Sequence, residues 1–350
     1  MNKILSDKTG SILMISLWVL SLLVIFAIGI GHRASINLKL ARYQRERVKA
    51  ELLANNGIKK AVLLLNEDGN NEETKNYDTL DKCGVILKDE QTLESIFTQE
   101  WDNGSANFKV GYNNPDTSFI YGLRDEERYL NINGFSSADA KFNQAVLKEL
   151  FKSILDNDTD AQELADIVID WINSSSPITF AKKEPFKTIE ELLPVLEYFY
   201  QTKGDSEIEA QKEARILFTQ IKDLITADTN NTINLNTVSY EYLRILASAL
   251  KESLSITDAD INDFIADMRS FREENNKYLK TTDIQTSVSI DLGLAPISQK
   301  IINQLISLKI ASANSEYFRI ESTGEIGRVN KKIIAVYVRK EKKFASWHEH

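Results

Sequence analysis

The sequence predicts an α+β fold with one long N-terminal helix, an antiparallel sheet, and a large all-helical segment inserted between two parts of that sheet. Three observations support this prediction. A continuous apolar run near the N-terminus continues into a helix-compatible stretch without an intervening turn. Alternating apolar positions, typical of strands, occur before residue 134 and again after residue 285. Between them, apolar residues recur at helical spacing.

The first predicted element is a helix of about 55 residues that runs from Ser11 to Leu65. No charged residue occurs from Ser11 to Ile30, and at about 1.5 Å per residue this run reaches about 30 Å, enough to cross a bilayer. The stretch that follows has no proline and a single glycine, Gly57. Its apolar positions recur at helical spacing, namely Ala34, Leu38, Ala41, Val48 and Leu52. We therefore expect residues 11–31 to span a membrane and the helix to continue beyond it.

Two simpler interpretations of this segment stay open. The first is a cleaved secretory signal, although the apolar run is long, Gly29-Ile30-Gly31 is a poor cleavage site and no turn follows it. The second is a plain single-span anchor, for which the positive-inside rule alone places the bulk of the chain in the cytoplasm. Basic residues are Lys3 and Lys8 before the span, and Arg33, Lys39, Arg42, Arg45, Arg47 and Lys49 after it.

Strand patterns flank the helical segment on both sides. Turn residues at Asn113–Asp116 separate two alternating stretches, which predicts a β-hairpin. Alternation returns near the C-terminus, around Gly324–Gly327, whereas the spacing is helical from Asp139 to about Asp283. The strand-like stretches are Ala106–Tyr112, Phe119–Asn133, Phe318–Ser322 and Lys332–Arg339. We therefore assign residues 32–133 and 286–350 to one domain, and residues 134–285 to a helical insertion.

Composition limits the functions that the chain can perform. The formal net charge is −9, which argues against binding nucleic acid because such binding depends on basic residues that neutralise phosphates. The single cysteine, Cys83, excludes a disulfide within the chain and has no assigned role. The histidines are His32, near the apolar run, and His348 and His350, near the C-terminus, so no histidine-based acid–base system is evident. With no nucleophile, phosphate-loop or metalloprotease motif either, we predict that the chain is not an enzyme. A hydrolase that uses only carboxylates stays open as an alternative, because the fold can bring Asp and Glu side chains together in pairs.

The helical segment contains a weak internal repeat. Leu130–Asn133 precedes helices that end near Trp171, and Ile233–Thr237 precedes helices that end near Phe271. The second copy resembles a helix-hairpin-helix module of DNA-uptake proteins, which is the main alternative function. Such modules hold a phosphate with a glycine hairpin, yet Leu250–Ser255 contains no glycine. The surroundings are acidic as well, with Asp258, Asp260 and Asp263, so a protein-contact role is favoured.

Ordered motifs along nearly the whole chain resemble the type IV pilin-like proteins, and within them the minor pseudopilin K family of type II secretion systems (general secretion pathway protein K). Each motif is weak by itself, whereas their order and spacing are specific. They are Gly10–Leu13, Leu17–Leu20, Ala41–Gln44, Leu53–Ile58, Asp125–Glu127, Leu130–Asn133, Asp170–Asn173, Pro185-Phe186, Glu190–Leu192 and Ile233–Thr237. The resemblance implies a pilin-like domain, with residues 1–10 as a leader that a prepilin peptidase removes between Gly10 and Ser11, and methylation of the mature end.

The same resemblance implies a place in a short periplasmic filament, the pseudopilus. The chain is expected in the inner membrane as a single-pass protein with its C-terminal domain in the periplasm, and as the tip subunit that initiates or caps filament assembly for protein export. Minor pseudopilins I and J are the implied partners, with minor pseudopilin H and major pseudopilin G as further candidates. The expected assembly helix presents Ile15, Trp18, Leu38, Ala41, Val48 and Leu52, of which the last four would face either the head domain of the same chain or the partners.

One position departs from the pattern of major pilins, which carry a glutamate five residues after the cut. Here that position is Ile15. A carboxylate buried among apolar helices is unfavourable unless it is paired, so a tip subunit with no predecessor gains nothing from having one. The alternative is that Ile15 is an ordinary apolar residue of a membrane span.

Calcium is the one candidate cofactor. Asp156, Asp158 and Asp160 have the spacing that opens a calcium loop, but the positions that need glycine and a bidentate glutamate are Ala161 and Ile167. An acidic turn that caps a helix explains the same residues. Members of the resembled family can bind calcium after an Asp-Trp-Ile-Asp motif, and this chain has Asp170 followed by Trp-Ile-Asn and three serines, so amide and hydroxyl groups replace the expected carboxylates.

Overall fold

The computed structural model describes residues 8–72, 74–79, 92–101, 104–113, 119–134, 140–274, 277–286 and 292–350. It confirms the predicted α+β fold class, with a long helix, an antiparallel sheet and a helical region. Helix α1 extends from Lys8 to Asn70, beyond the predicted limits at both ends. Cys83 and the turn residues from Asn114 to Asp116 lie outside the described residues.

The antiparallel sheet combines strands from both ends of the chain. The order is β1-β2-β9-β10-β11, with β3 paired to β2 and β4 paired to β9. Before the helical region lie α2 (Leu93–Phe97), β1 (Thr98–Trp101), β2 (Ala106–Asn113), β3 (Phe119–Tyr121) and β4 (Arg124–Asp125). After it come β9 (Tyr317–Ile326), β10 (Val329–Val338) and β11 (Lys343–Glu349). Strands β9 and β10 are longer than predicted, because β9 continues through Gly324 and the chain turns only at Gly327-Arg328.

The C-terminal half of α1 packs on this sheet through small residues. Ala50, Ala54 and Ile58 are buried against it, together with Ala61 and Leu65 one turn and two turns further along. Two glycines permit the close approach. A Cβ on Gly324 of β9 would lie 2.0 Å from the carbonyl oxygen of Ala50, and a Cβ on Gly57 would lie 2.1 Å from Oγ of Ser322. The helix and the sheet therefore meet backbone to backbone.

The helical region forms a second core and consists of two units of similar construction. Each unit begins with a two-residue strand and ends with another, and the two pair in parallel. The first unit contains β5 (Leu130–Asn131), α3 (Ala140–Leu155), α4 (Asp158–Ile172), α5 (Leu193–Thr202), α6 (Glu207–Ile221) and β6 (Ile225–Thr226). The second contains β7 (Ile233–Asn234), α7 (Tyr240–Ala249), α8 (Lys251–Leu254), α9 (Asp258–Arg269), α10 (Thr281–Thr286), α11 (Pro296–Ser307) and β8 (Ala311–Ser312).

An Asn-x-Asn pair closes each unit in the same way. In the first unit, the side-chain amide of Asn133 donates to the carbonyl oxygens of Phe186 and Ala227, and its oxygen accepts from the backbone N–H of Phe186. In the second, Asn236 does the same with Leu279 and Ala313. The same pattern of three bonds makes Asn133 and Asn236 equivalent positions of the internal repeat.

The helical region extends further than the boundary assigned at residue 285. Helix α11 packs its buried residues Ile301, Ile302 and Leu305 into the helical core, and β8 pairs with β7. Ala313 is still part of that core, so the corrected boundary lies between β8 and β9. Pro296 occupies the first turn of α11, where a missing N–H does no harm, so it starts the helix rather than excluding it.

Candidate assembly helix and buried junction

The N-terminal half of α1 is an apolar helix whose side chains are exposed from Ile12 onward. Its backbone is helical from Lys8, so Gly10 and Ser11 of the predicted cleavage site lie within the first turns. The window of highest hydropathy is unburied, and within the described residues this is the one helix long and apolar enough to cross a membrane. The hydroxyls of Ser16 and Ser21 donate to the carbonyl oxygens of Leu13 and Leu17. Their polar atoms are therefore satisfied within the helix, as a hydrocarbon environment requires.

The first predicted assembly residues lie on this exposed half. The side chains of Ile15 and Trp18 are 61% and 72% exposed. Ile15 also lines a shallow surface groove with Ile12, Val19 and Leu23, whose walls are almost entirely apolar. An apolar surface of this kind is stable only in lipid or against other apolar helices.

The four assembly residues beyond the span lie on the face of α1 that points away from the sheet. Leu38, Val48 and Leu52 are 62%, 57% and 59% exposed, and Ala41 is exposed as well. The buried residue next to Leu52 is Ala54, and two positions along a helix correspond to a rotation of about 200°. These residues therefore do not contact the head domain, which leaves the alternative that they face partners as the standing prediction.

Three consecutive carboxylates, Asp125–Glu127, lie where the sheet meets the helical region, and all three are buried. The Oδ2 atom of Asp125 accepts hydrogen bonds from Thr237 Oγ1 (2.5 Å) and from Ser315 Oγ (2.5 Å). It also accepts from Asn234 Nδ2 (3.0 Å), while Oδ1 accepts from the backbone N–H of Glu127 (2.8 Å). Asp125 thereby ties the sheet to both ends of the second helical unit.

Arginines balance part of this buried charge. The guanidinium of Arg339, at the end of β10, contacts the carboxylates of Asp68 (3.0 Å) and Asp78 (2.8 Å). Arg319 of β9 pairs with Glu126 at 2.5 Å, and Glu126 also accepts from the hydroxyl of Thr226. The sequence motif indicated Asp125–Glu127, but Arg339 was missed because its partners lie 261 and 271 positions away along the chain.

The negative charge that the arginines leave unbalanced is buried, and burial disfavours the charged form of a carboxylate. Burial raises the pKa of Asp125 to about 6, even though the hydroxyls of Ser315 and Thr237 act in the opposite direction. Burial, with a contribution from the neighbouring charge of Asp78, raises the pKa of Asp68 to about 6 as well. Burial and the charge of Asp125 raise the pKa of Glu127 well above its usual range. Protonation of these carboxylates therefore removes buried negative charge and stabilises the junction.

The candidate calcium residues do not form a cation site in the structure. Asp158 is held by Lys148 (2.9 Å) and Lys152 (2.8 Å), and Asp160 by Lys203 (2.7 Å). No group of three or more acidic, histidine or cysteine side chains that could hold a metal occurs among the described residues, which include Asp156 and Asp170.

The segment after the Asp-Trp-Ile-Asn motif is also engaged with itself. The Oδ1 atom of Asn173 accepts from the backbone N–H and from the hydroxyl of Ser175, so it caps its own turn. Further along, the ammonium of Lys182 bridges the carbonyl oxygen of Pro185 and the carboxylate of Glu191. The donor set of this region therefore does not fit calcium.

The resemblance to a helix-hairpin-helix module stops at the hairpin. Helices α7 and α9 are joined by a segment in which Ser255, not glycine, adopts the left-handed conformation (φ 51°). The ammonium of Lys251 in this segment contacts both carboxylate oxygens of Asp258, at 2.8 and 2.9 Å. A basic group that is already paired to an adjacent carboxylate is poorly placed to bind a phosphate.

Comparison with solved structures identifies the fold. The chain matches a chain of the crystal structure of the GspK-GspI-GspJ complex from the enterotoxigenic Escherichia coli type 2 secretion system. The match covers 89% of this chain and 99% of that chain, with a TM-score of 0.58 and 15% sequence identity. No protein-family model and no curated protein matches the sequence. The likeness confirms the α+β fold class that the sequence predicts.

Proposed function

We propose that this chain is a minor pseudopilin of the K type, which acts in assembly of a type II secretion pseudopilus rather than in catalysis. The observation that carries the proposal is the combination of an exposed apolar helix with a sheet that a two-unit helical region interrupts. The fold matches a chain of the GspK-GspI-GspJ complex over 99% of that chain and 89% of this one. The ordered motifs, from Gly10-Ser11 to Ile233–Thr237, support it independently of the fold.

The mechanism that we propose is transfer of α1 from lipid to a bundle of helices. Before assembly, residues 11–31 span the inner membrane and the folded domains lie in the periplasm. On assembly, the apolar surface around Ile15 and Trp18 exchanges lipid contacts for van der Waals contacts with the helices of minor pseudopilins I and J. The C-terminal half of α1 is already fixed to the sheet through Ala50 and Ala54, so the head and the emerging helix move as one body.

A position at the filament tip follows from two features. The helical region adds two units to one end of the pilin-like domain, and such a bulk does not fit easily between closely spaced shaft subunits. In addition, Ile15 provides no carboxylate to pair with a preceding subunit. We therefore propose that this chain initiates or caps the pseudopilus. Prepilin peptidase processes and methylates it before assembly.

N-terminal mass spectrometry of the chain from membranes of cells with and without prepilin peptidase tests this proposal. We expect a peptidase-dependent mature N-terminus at Ser11, and co-purification with minor pseudopilins I and J. Retention of residues 1–10 in both strains, or cleavage near Gly31, would contradict it. Salt-sensitive DNA affinity would favour the DNA-uptake alternative instead, and turnover that depends on particular carboxylates would indicate a hydrolase.

A further inference from the structure

A basic stretch of α1 follows the apolar span directly. Between Arg33 and Lys49 there are six basic residues and a single acidic one, Glu46, in a chain whose formal net charge is −9. All six basic side chains are exposed. None of them forms a hydrogen bond or an ion pair within the described part of the chain. This local excess of positive charge thus has no ion-pair partner among the residues that the structure describes.

Three of these residues lie at or beside the exposed apolar stripe that Leu38, Ala41, Val48 and Leu52 form on α1. Arg42, Arg45 and Lys49 are spaced by three and four positions, so they share one face of the helix. At 3.6 residues per turn, Arg42 and Lys49 border one side of the stripe and Arg45 projects between Leu38 and Leu52, all three away from the sheet. An apolar stripe bordered by charges of one sign is the pattern by which helices select an oppositely charged partner helix.

Lipid headgroups are a poor match for these charges. Taking Ile30 as the end of the apolar run, Arg42 lies about 18 Å and Lys49 about 28 Å further along the helix axis, at about 1.5 Å per residue. Interactions between exposed charges are largely screened beyond about 8 Å at physiological ionic strength. Arg33 reaches the headgroups of an upright span, whereas Arg42, Arg45 and Lys49 do not.

We propose that Arg42, Arg45 and Lys49 form an electrostatic docking edge for an acidic partner helix, and that the apolar stripe beside them packs against the same helix. This inference rests on the proposed function, because it takes the partner to be the N-terminal helix of minor pseudopilin I or J. The partner helix must present apolar residues that face Val48 and Leu52, with aspartate or glutamate beside them. Opposite charges at such an edge fix the register of the two helices and exclude basic ones.

Co-expression with pseudopilins I and J, followed by affinity purification in non-ionic detergent, tests the edge. The variant is the triple charge reversal of Arg42, Arg45 and Lys49 to glutamate. The matched control reverses Lys212, Arg215 and Lys222, which are exposed on α6 and its C-terminal cap. We expect the first variant to capture at least about tenfold less partner at low salt, and the control to remain within about twofold of the original chain.

The outcomes separate this inference from the proposed function. Failure of the unaltered chain to capture either partner contradicts both. Normal capture by the charge-reversed variant at low and high salt overturns the docking edge and leaves the proposed function intact. Restored capture when acidic residues of the partner helix are changed to lysine supports the edge. Protection from trypsin at Arg42 in vesicles that contain phosphatidylglycerol, but not in phosphatidylcholine vesicles, would assign these charges to lipid and overturn the inference.

Discussion

Replacing Gly324 with alanine should separate α1 from the sheet. The new Cβ would lie 2.0 Å from the carbonyl oxygen of Ala50, 2.6 Å from the backbone nitrogen of Ala54 and 2.9 Å from Cβ of Leu53. Two of these three atoms belong to the backbone of a helix, so no side-chain rotation relieves the clash. Reaching an ordinary contact distance requires a displacement of more than about 1 Å, and packing of this quality tolerates no such gap.

The size of the effect follows from that displacement. Overpacking a well-packed site typically decreases the free energy of unfolding by about 1–3 kcal/mol, and a clash with backbone belongs at the upper end. We therefore expect Gly324→Ala to lower it by about 3 kcal/mol. At about 2–4 °C per kcal/mol, the value for a domain of about 150–250 residues, this gives a midpoint decrease of about 6–12 °C.

Thermal unfolding of the full chain in detergent, followed by circular dichroism, measures this change. Gly69→Ala is the matched control, because Gly69 is also on α1 and its added Cβ would lie 3.9 Å from the nearest atom, Cδ of Arg339. Alanine in place of a helical glycine should raise stability by about 0.5–1 kcal/mol. A Gly324→Ala chain that unfolds within about 1 °C of the original would refute the close packing of α1 on β9.

Three further predictions concern the charged groups. The pKa of Asp125 is raised to about 6 in the fold and is about 4 in the unfolded chain, so the folded state binds the proton more tightly. The free energy of unfolding should therefore rise as the pH falls from 7 towards 4. Urea titrations of the original chain and of Asp125→Asn should show a weaker rise in the variant. Arg339→Met should lower the free energy of unfolding by about 3–5 kcal/mol, because Asp68 and Asp78 lose their buried counter-charge, and Arg339→Lys should recover part of it in the same urea titration. Calcium should leave the thermal midpoint unchanged relative to chelator, since lysines already occupy carboxylates such as Asp158; an increase of several degrees with calcium would contradict this.

Local pattern was sufficient to predict the long helix and the strands β2, β9 and β10, whereas β1 and β11 were not predicted. A long run without proline and with apolar residues at helical spacing has no alternative to a helix, and α1 follows it from Lys8 to Asn70. The spacing also grouped Leu38 and Leu52 on one face. It could not tell which face meets the sheet, because the contact is made by Ala50, Ala54 and Gly57, whose small size carries little hydrophobic signal.

Longer-range features were less accessible from the sequence. The motifs pointed to Asn133 and Asn236, but their hydrogen-bond partners at Phe186 and Leu279 lie 53 and 43 residues away and show no local pattern. The partners of Arg339, Asp68 and Asp78, are also distant along the chain and show no local pattern. Helix α11 was missed because the predicted helical segment ended near Asp283, although Pro296 is compatible with the first turn of a helix.

The pairing of β4 with β9 gives the helical region an unusual position in the chain. Asp125 and Phe318 are opposite each other in that ladder, so the chain leaves the sheet and returns to it at neighbouring points. Topologically, residues 126–316 are the loop of a hairpin. The chain therefore enters and leaves the helical region at one place, the β4–β9 pair. Evolution could enlarge or trim the helical region without altering the strand order of the sheet. For protein engineering, the junction between β4 and β9 is a natural place to exchange one helical region for another on an unchanged long helix and sheet.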